Sequence, residues 1–176
     1  LSLQEEKLSH ALAQDGISAW GQLYDRLSGT IQCTLMVDGQ RKELGIAETT
    51  GLLENQDESI RQSAWTAINT SFETHEESFA AGLNAIAGWR LEMNRKRSHN
   101  KKVHFLDAPT HQNRIDRRIL DTLLDVAKRY RPMAQRAARL RAKALGKNAL
   151  GPWDHRAPPP SLGESKASPA IPYEQA

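Results

Sequence analysis

A chain of 176 residues with 39% apolar and 26% charged side chains is long enough to bury one core and too short for two full-sized domains. Its formal net charge of +3 conceals a split: residues 1 to 88 carry 5 basic and 13 acidic side chains (net −8) and residues 89 to 176 carry 19 and 8 (net +11), so the halves attract each other or different partners. The single cysteine, Cys33, excludes an internal disulfide, no apolar run is long enough to cross a bilayer, and Leu1 to Leu12 do not form a signal sequence; a soluble, cytoplasmic chain with no membrane partner is expected.

The chain opens on Ser2-Leu3-Gln4-Glu5, the pattern of a capping box, so a helix is predicted to start there, with Leu8, Ala11 and Leu12 on its apolar face and Asp15-Gly16 as its break. Trp20, Leu23, Tyr24 and Leu27 fall at helical spacing on a second helix that Ser28-Gly29 ends, and the two helices are expected to pack together. The segments Ile31 to Val37 and Arg41 to Ala47 flank Asp38-Gly39-Gln40, whose Asp-Gly pair signals a tight hairpin and the one β element of the chain. Beyond Leu52 and Leu53, Asp57 is placed to cap a helix carrying Ile60, Ala64, Ala67 and Ile68 on one face. A longer helix is predicted from about Thr74 to about Arg97, with Phe79, Leu83, Ile86, Arg90 and Met93 recurring every three or four residues.

Pro109 is read as closing a loop, and Asp116 as the cap of a helix striped by Leu120, Leu123, Leu124, Ala127 and Tyr130, followed by a further helical stretch to Leu145-Gly146. Five of the eight prolines lie between Ala157 and Pro172, which excludes a long helix or a central strand there. The predicted fold is therefore all-α, predominantly helical, with one small β-hairpin. Its expected parts are a helical domain over 1 to 107 with the hairpin at about 31 to 47, the first helices of a second domain over 108 to 147, and a Pro-rich connector over 148 to 176. Pro172 suits the first position of a helix, so the chain stops where a helix begins, the expectation for a fragment.

Several segments, in order along the chain, resemble one family. Trp20 to Asp25, Asp57 through Arg61 to Ala64, Phe79 to Ile86, Phe105 to Ala108, Leu120 to Val126, Lys143 to Gly146, Asp154 to Pro158 and Ile171 to Ala176 are similar to the amino-terminal part of the oligoendopeptidase F family of zinc metallopeptidases. The resemblance implies a helical, clam-like peptidase whose channel admits short peptides, with zinc held by a His-Glu-x-x-His helix and a later Glu. That motif is absent here and lies downstream of the matched segments in the family. No catalytic, cofactor-binding or metal-binding residue is expected within these 176 residues. The resemblance implies zinc as the cofactor of the full-length enzyme, the remainder of the peptidase domain as the partner of this part, and an oligopeptide as the substrate.

Within the chain the tempting alternatives fail or stay open. His75-Glu76 would need a second ligand at position 79, which is Phe79, so a polar helix start is the better reading. His99, His104 and His111 lie in a basic stretch without paired acids or thiols, and His155, beside Asp154, has no nucleophile with it. Trp20, Trp65, Trp89 and Trp153 are read as packing groups, and Asn84 and Asp107 as helix-capping or helix-bridging residues. Lys128, Arg129, Arg131, Arg136, Arg139, Arg141, Lys143 and Lys147 follow one another without an acid between them. This run reads as a solvated face or one that meets an acidic surface of the missing part. The alternative is a non-enzymatic binding module whose basic helix over 128 to 147 takes nucleic acid or an acidic protein; nucleic acid is weakened by the lack of stacking aromatics other than Tyr130. Apolar helix faces from Asp116 onward are expected to lack partners within the chain, so self-association is anticipated.

Overall fold

The computed structural model describes residues 1 to 159; the Pro-rich stretch beyond it and the helix expected at Pro172 lie outside the described residues. The order of elements is α1 (Leu3–Leu12), α2 (Ile17–Thr30), β1 (Gln32–Val37), β2 (Gln40–Gly45), α3 (Ile46–Gly51), a 3-10 turn (Leu52–Glu54), α4 (Glu58–Glu73), α5 (Glu76–Arg97), α6 (Asp107–Gln112), α7 (Arg117–Ala144) and a second 3-10 turn (Pro152–Asp154). Among the described residues the fold is predominantly helical with one two-stranded antiparallel sheet, as the sequence predicts.

Local chemistry sets the element boundaries. At α1 the Ser2 hydroxyl accepts from the Glu5 amide at 3.3 Å while the Glu5 carboxylate accepts from the Ser2 amide at 2.7 Å, which completes the capping box. Asp57 caps α4 by accepting from the Ser59 amide at 2.8 Å, and Asp116 caps α7 by accepting from the Ile119 amide at 2.8 Å. Between the strands Asp38 (φ 52°) and Gly39 (φ 74°) both occupy the left-handed region, as a type I′ turn requires, and this pins the register Val37 opposite Gln40 through Gln32 opposite Gly45.

The core sits between the hairpin and α4. Cys33, Leu35 and Val37 alternate inward along β1 and meet Ala64, Ala67 and Leu53, with Leu44, Ile46, Ile60, Trp65 and Ile68 around them. Cys33 is a free thiol sealed in this core. The small side chains of Ala64 and Ala67 let helix and sheet approach closely.

Several expectations are corrected. The first two helices do not form a pair: α2 packs on α5, while Leu8 and Leu12 of α1 stay exposed and α1 is held to α5 through Arg97, which donates to Glu6 at 2.9 and 2.7 Å, and through Ser9 against the Met93 sulfur. Helix α2 runs past Ser28-Gly29 to Thr30, since a glycine weakens a helix without ending it. The second strand stops at Gly45, and Ile46 and Ala47 belong to α3. Thr74 closes α4, and α5 starts at Glu76. Pro109 lies in the first turn of α6, where its missing amide costs no hydrogen bond. The two helical stretches expected after Asp116 are one 28-residue helix that continues through Pro132 and ends where Gly146 takes φ +71°.

Candidate functional site

The most enclosed polar cluster lies where α4 meets the 3-10 turn at Pro152–Asp154. Arg61 and Asp154 are 2% and 0% exposed and form an ion pair at 2.8 Å. Burying two charges is costly unless their remaining hydrogen-bonding groups are filled. Here the second guanidinium nitrogen of Arg61 donates to the carbonyls of Asn55 at 2.9 Å and Gln56 at 2.8 Å, which closes the turn ahead of α4, while its Nε is buried without a partner among the described residues. Asp154 also accepts from Lys147 Nζ at 2.6 Å and from the Gly151 amide at 2.8 Å. Lys147 in turn pairs with Glu58, which accepts from the Trp153 indole at 3.1 Å.

Titration follows from this geometry. Burial alone would raise the Asp154 pKa, but the hydrogen bonds from Arg61, Lys147 and the Gly151 amide outweigh it and hold the carboxyl at about 2. Burial likewise opposes the charge on Lys147, and Asp154 and Glu58 together raise its pKa in spite of that. Glu58 is lowered by Lys147 and then by the Trp153 indole. Every charge in the cluster has an opposite charge beside it. The lowered Asp154 and Glu58 and the raised Lys147 keep their charges near neutrality, and the arrangement clamps the chain after α7 onto α4. The neighbouring contacts act in the same direction: Arg141 donates to the carbonyls of His155, at 3.0 Å, and Ala157, while Arg156 pairs with Glu54 at 3.1 Å.

Two surface concavities lie apart from this cluster. One, of about 340 Å³, lies between α2 and α5 and is lined by Trp20, Leu23, Tyr24, Phe79, Gly82 and Leu83 among others. Tyr24 and Phe72 lean on the Phe79 ring with centroids 5.3 and 5.5 Å away. The other, of about 720 Å³, runs between β1 and α4.

The structure brings none of the tested histidines together. His75 precedes α5 with its ring against Phe79, at a centroid distance of 6.2 Å, so position 79 supplies packing. His99, His104, His111 and His155 are exposed, and His104 accepts from the Leu106 amide. Among the described residues no three His, Cys, Asp or Glu side chains converge to hold a metal ion, and these residues do not fit a zinc site. Trp65 packs at the core, Trp89 lies on Gly16, Trp153 bonds Glu58 and Trp20 lines the α2–α5 concavity. Asp107 accepts from the His104 amide at 2.8 Å, and Asn84 is exposed in the middle of α5. The basic run is divided: Lys147 and Arg141 are engaged in the clamp, whereas Lys128, Arg129, Arg131, Arg136, Arg139 and Lys143 are exposed on α7. The sequence reading missed the roles of Arg61, Asp154 and Lys147. The available signal was that Arg61 and Asp154 both fall inside segments matched to one family.

A family model described as Peptidase family M3 matches residues 51–176. The chain belongs to peptidase family M3. This M3 chain is 25% identical over 161 residues to the Group B oligopeptidase PepB of Streptococcus agalactiae, an alignment covering 88% of the chain and 26% of that relative. It thus spans about a quarter of the length of the curated relative it matches. Its fold is shared with oligoendopeptidase-F from Enterococcus faecium, at a TM-score of 0.77 and 24% identity, covering 90% of this chain and 30% of that one. A protein from Chlamydophila abortus described as a peptidase has a TM-score of 0.74 at 18% identity, covering 90% and 26%. Among the described residues of the M3 chain no helix is long and apolar enough to cross a membrane.

Proposed function

We propose that the chain is the non-catalytic amino-terminal part of a zinc-dependent oligoendopeptidase that hydrolyses short peptides, and that it forms a wall or lid of the peptide channel. The observation that carries this reading is the family match over residues 51–176 in a chain about a quarter as long as its oligopeptidase relative. Zinc and the residues that hold it belong to the remainder of the peptidase domain. In this reading the helices supply the wall, and the clamp at Arg61 and Asp154 fastens the chain after α7 onto α4. The coding sequence beyond Ala176 is expected to contain His-Glu-x-x-His, and the purified 176-residue chain is expected to leave a fluorogenic nonapeptide intact with zinc present. Chelator-sensitive cleavage by the chain alone would sink this reading.

The exposed apolar residues of α7, among them Leu123, Leu124, Tyr130, Met133 and Leu140, support a second part of the proposal. They are the surface on which the rest of the peptidase domain packs, and on the isolated chain they drive self-association. The competing reading, a binding module for nucleic acid or an acidic protein, draws on the six exposed cations of the same helix. A filter-binding titration against salt separates the two: affinity for nucleic acid that falls steeply with salt favours the module, and no binding at low salt removes it.

A further inference from the structure

The concavity between α2 and α5 takes no part in the clamp. Trp89 lies on Gly16, Trp20 near Gly82 and Tyr24 on Phe79, so the two helices run antiparallel and the carboxyl end of α2 comes beside the amino end of α5. Gly82 is buried, and a β-carbon there would sit 3.9 Å from the Trp20 ring. A glycine at this point keeps open a hollow of about 340 Å³ walled by Trp20, Leu23, Tyr24, Phe79 and Leu83. Solvent reaches those walls: Tyr24 is 52% and Leu83 68% exposed. A contiguous apolar patch with a polar rim marks an interaction site, and the volume falls in the range of ligand sites.

Charge decides what kind of partner fits. Asp25 is the one charged residue in the lining, and among the described residues its carboxylate forms no ion pair. Glu76 and Glu77 stand in the first turn of α5, just ahead of Ser78 in the lining, and form none either. The basic groups of these segments, Arg26 and His75, do not line the hollow. Helix dipoles act in the same sense: the carboxyl end of α2 is negative, and the two glutamates offset the positive amino end of α5. The ring faces of Trp20 and Tyr24 also favour a cation. An apolar group that carries a positive charge therefore matches the site, and one that carries a carboxylate or phosphate opposes it.

We propose that the α2–α5 concavity binds a peptide segment in which bulky apolar side chains are flanked by Lys or Arg. An apolar side chain of the peptide enters between Trp20 and Leu83, and a flanking cation meets Asp25. The apolar contact supplies affinity, and the carboxylates around the hollow select against acidic peptides. The inference rests on the reading of the chain as the front of a peptidase for its choice of a peptide among apolar cations, and it adds to that reading a contact with a defined side-chain preference.

The test uses the whole 176-residue chain, isotopically labelled, titrated with acetyl-Lys-Phe-Leu-Lys-amide, acetyl-Glu-Phe-Leu-Glu-amide and acetyl-Lys-Ser-Ser-Lys-amide. Amide shifts confined to residues 20 to 27 and 76 to 86 are expected, with roughly tenfold weaker binding of the glutamate and the serine peptides. Asp25→Asn is expected to reduce the preference for the lysine over the glutamate peptide about threefold, and Leu83→Lys to weaken the lysine peptide about tenfold. Both positions are exposed, so the fold is kept in each variant. Shifts centred on α7 or on the groove between β1 and α4, equal binding of the three peptides, no binding, or a second copy seated in the concavity that excludes peptide would each overturn the proposal. Peptide hydrolysis is not the readout, so the two readings fail separately: a longer polypeptide that cleaves peptides while this concavity stays empty sinks only the concavity.

Discussion

Arg61 on α4 donates to the carboxylate of Asp154 at 2.8 Å across 93 residues of chain, and solvent reaches neither side chain. The pair joins the helix that carries the core to the turn that follows the longest helix. Its removal is therefore expected to loosen more than one contact. Asp154→Ala leaves the Arg61 charge buried and unpaired, which costs about 3–5 kcal/mol. The double variant Arg61→Met, Asp154→Ala is expected to recover part of that loss, because no unpaired charge remains. Urea denaturation of the three proteins measures both values, and a double variant as weak as Asp154→Ala would show that the charge itself is not the cause.

The same pair makes stability depend on pH in a defined window. The Asp154 carboxyl titrates at about 2 in the folded chain against 3.8 for an ordinary aspartate, so the folded state holds its proton less tightly than the unfolded state. A depressed carboxylate stabilises the fold above the unfolded pKa and loses that contribution as pH falls toward the folded one. The shift corresponds to about 2 kcal/mol, present above pH 4 and lost by about pH 2. Lys147 moves in the opposite sense: its raised pKa stabilises the fold up to the ordinary lysine value of 10.5, and the contribution disappears at higher pH. Urea midpoints recorded from pH 5 to pH 2 are expected to fall less steeply in Asp154→Asn than in the unsubstituted chain.

Gly151 makes a separate, steric prediction. A β-carbon at this position would lie 2.6 Å from the Trp153 ring, closer than the ring can accept without moving. Gly151→Ala is expected to push the indole off Glu58 and to cost about 1–3 kcal/mol, the range for overpacking a filled site. A shift in tryptophan emission toward that of a solvated indole, with a lower urea midpoint, is the expected result. Unchanged emission would mean that the backbone yields in place of the ring.

The residues that were legible in the sequence are those whose information is local. Ser2, Asp57 and Asp116 announce helix starts because each acts on an amide two or three residues ahead, and Asp38-Gly39 announces the hairpin because both positions need a left-handed backbone. The burial of one face of β1 at Cys33, Leu35 and Val37 comes from the packing of α4, which the turn signal does not announce. The pairing of α2 with α5 was not legible, because the apolar stripe on α2 states that a partner exists without saying which. The Arg61–Asp154 clamp was hidden for the same reason: each residue looks like an ordinary surface charge until the chain closes on itself. The two helical stretches expected after Asp116 are one helix because the surrounding helical pattern carries α7 through Pro132.

The last prediction concerns α7. Met133 is 65% exposed, and Leu123, Leu124 and Leu140 are each 58% exposed, a run of apolar groups that a solvated helix does not keep. Positive side chains flank this stripe, and the first half of the chain carries the net negative charge, so head-to-tail contact between copies satisfies both the apolar and the electrostatic demand. Sedimentation at rising protein concentration is expected to show association that weakens only in part at high salt. Leu124→Ser with Met133→Ser is expected to shift the population toward monomer with little loss of stability, because neither residue touches the core cluster. A compact monomer at every concentration would mean that the stripe is covered within the chain itself, and the proposal that it receives the rest of the peptidase domain would fall with it.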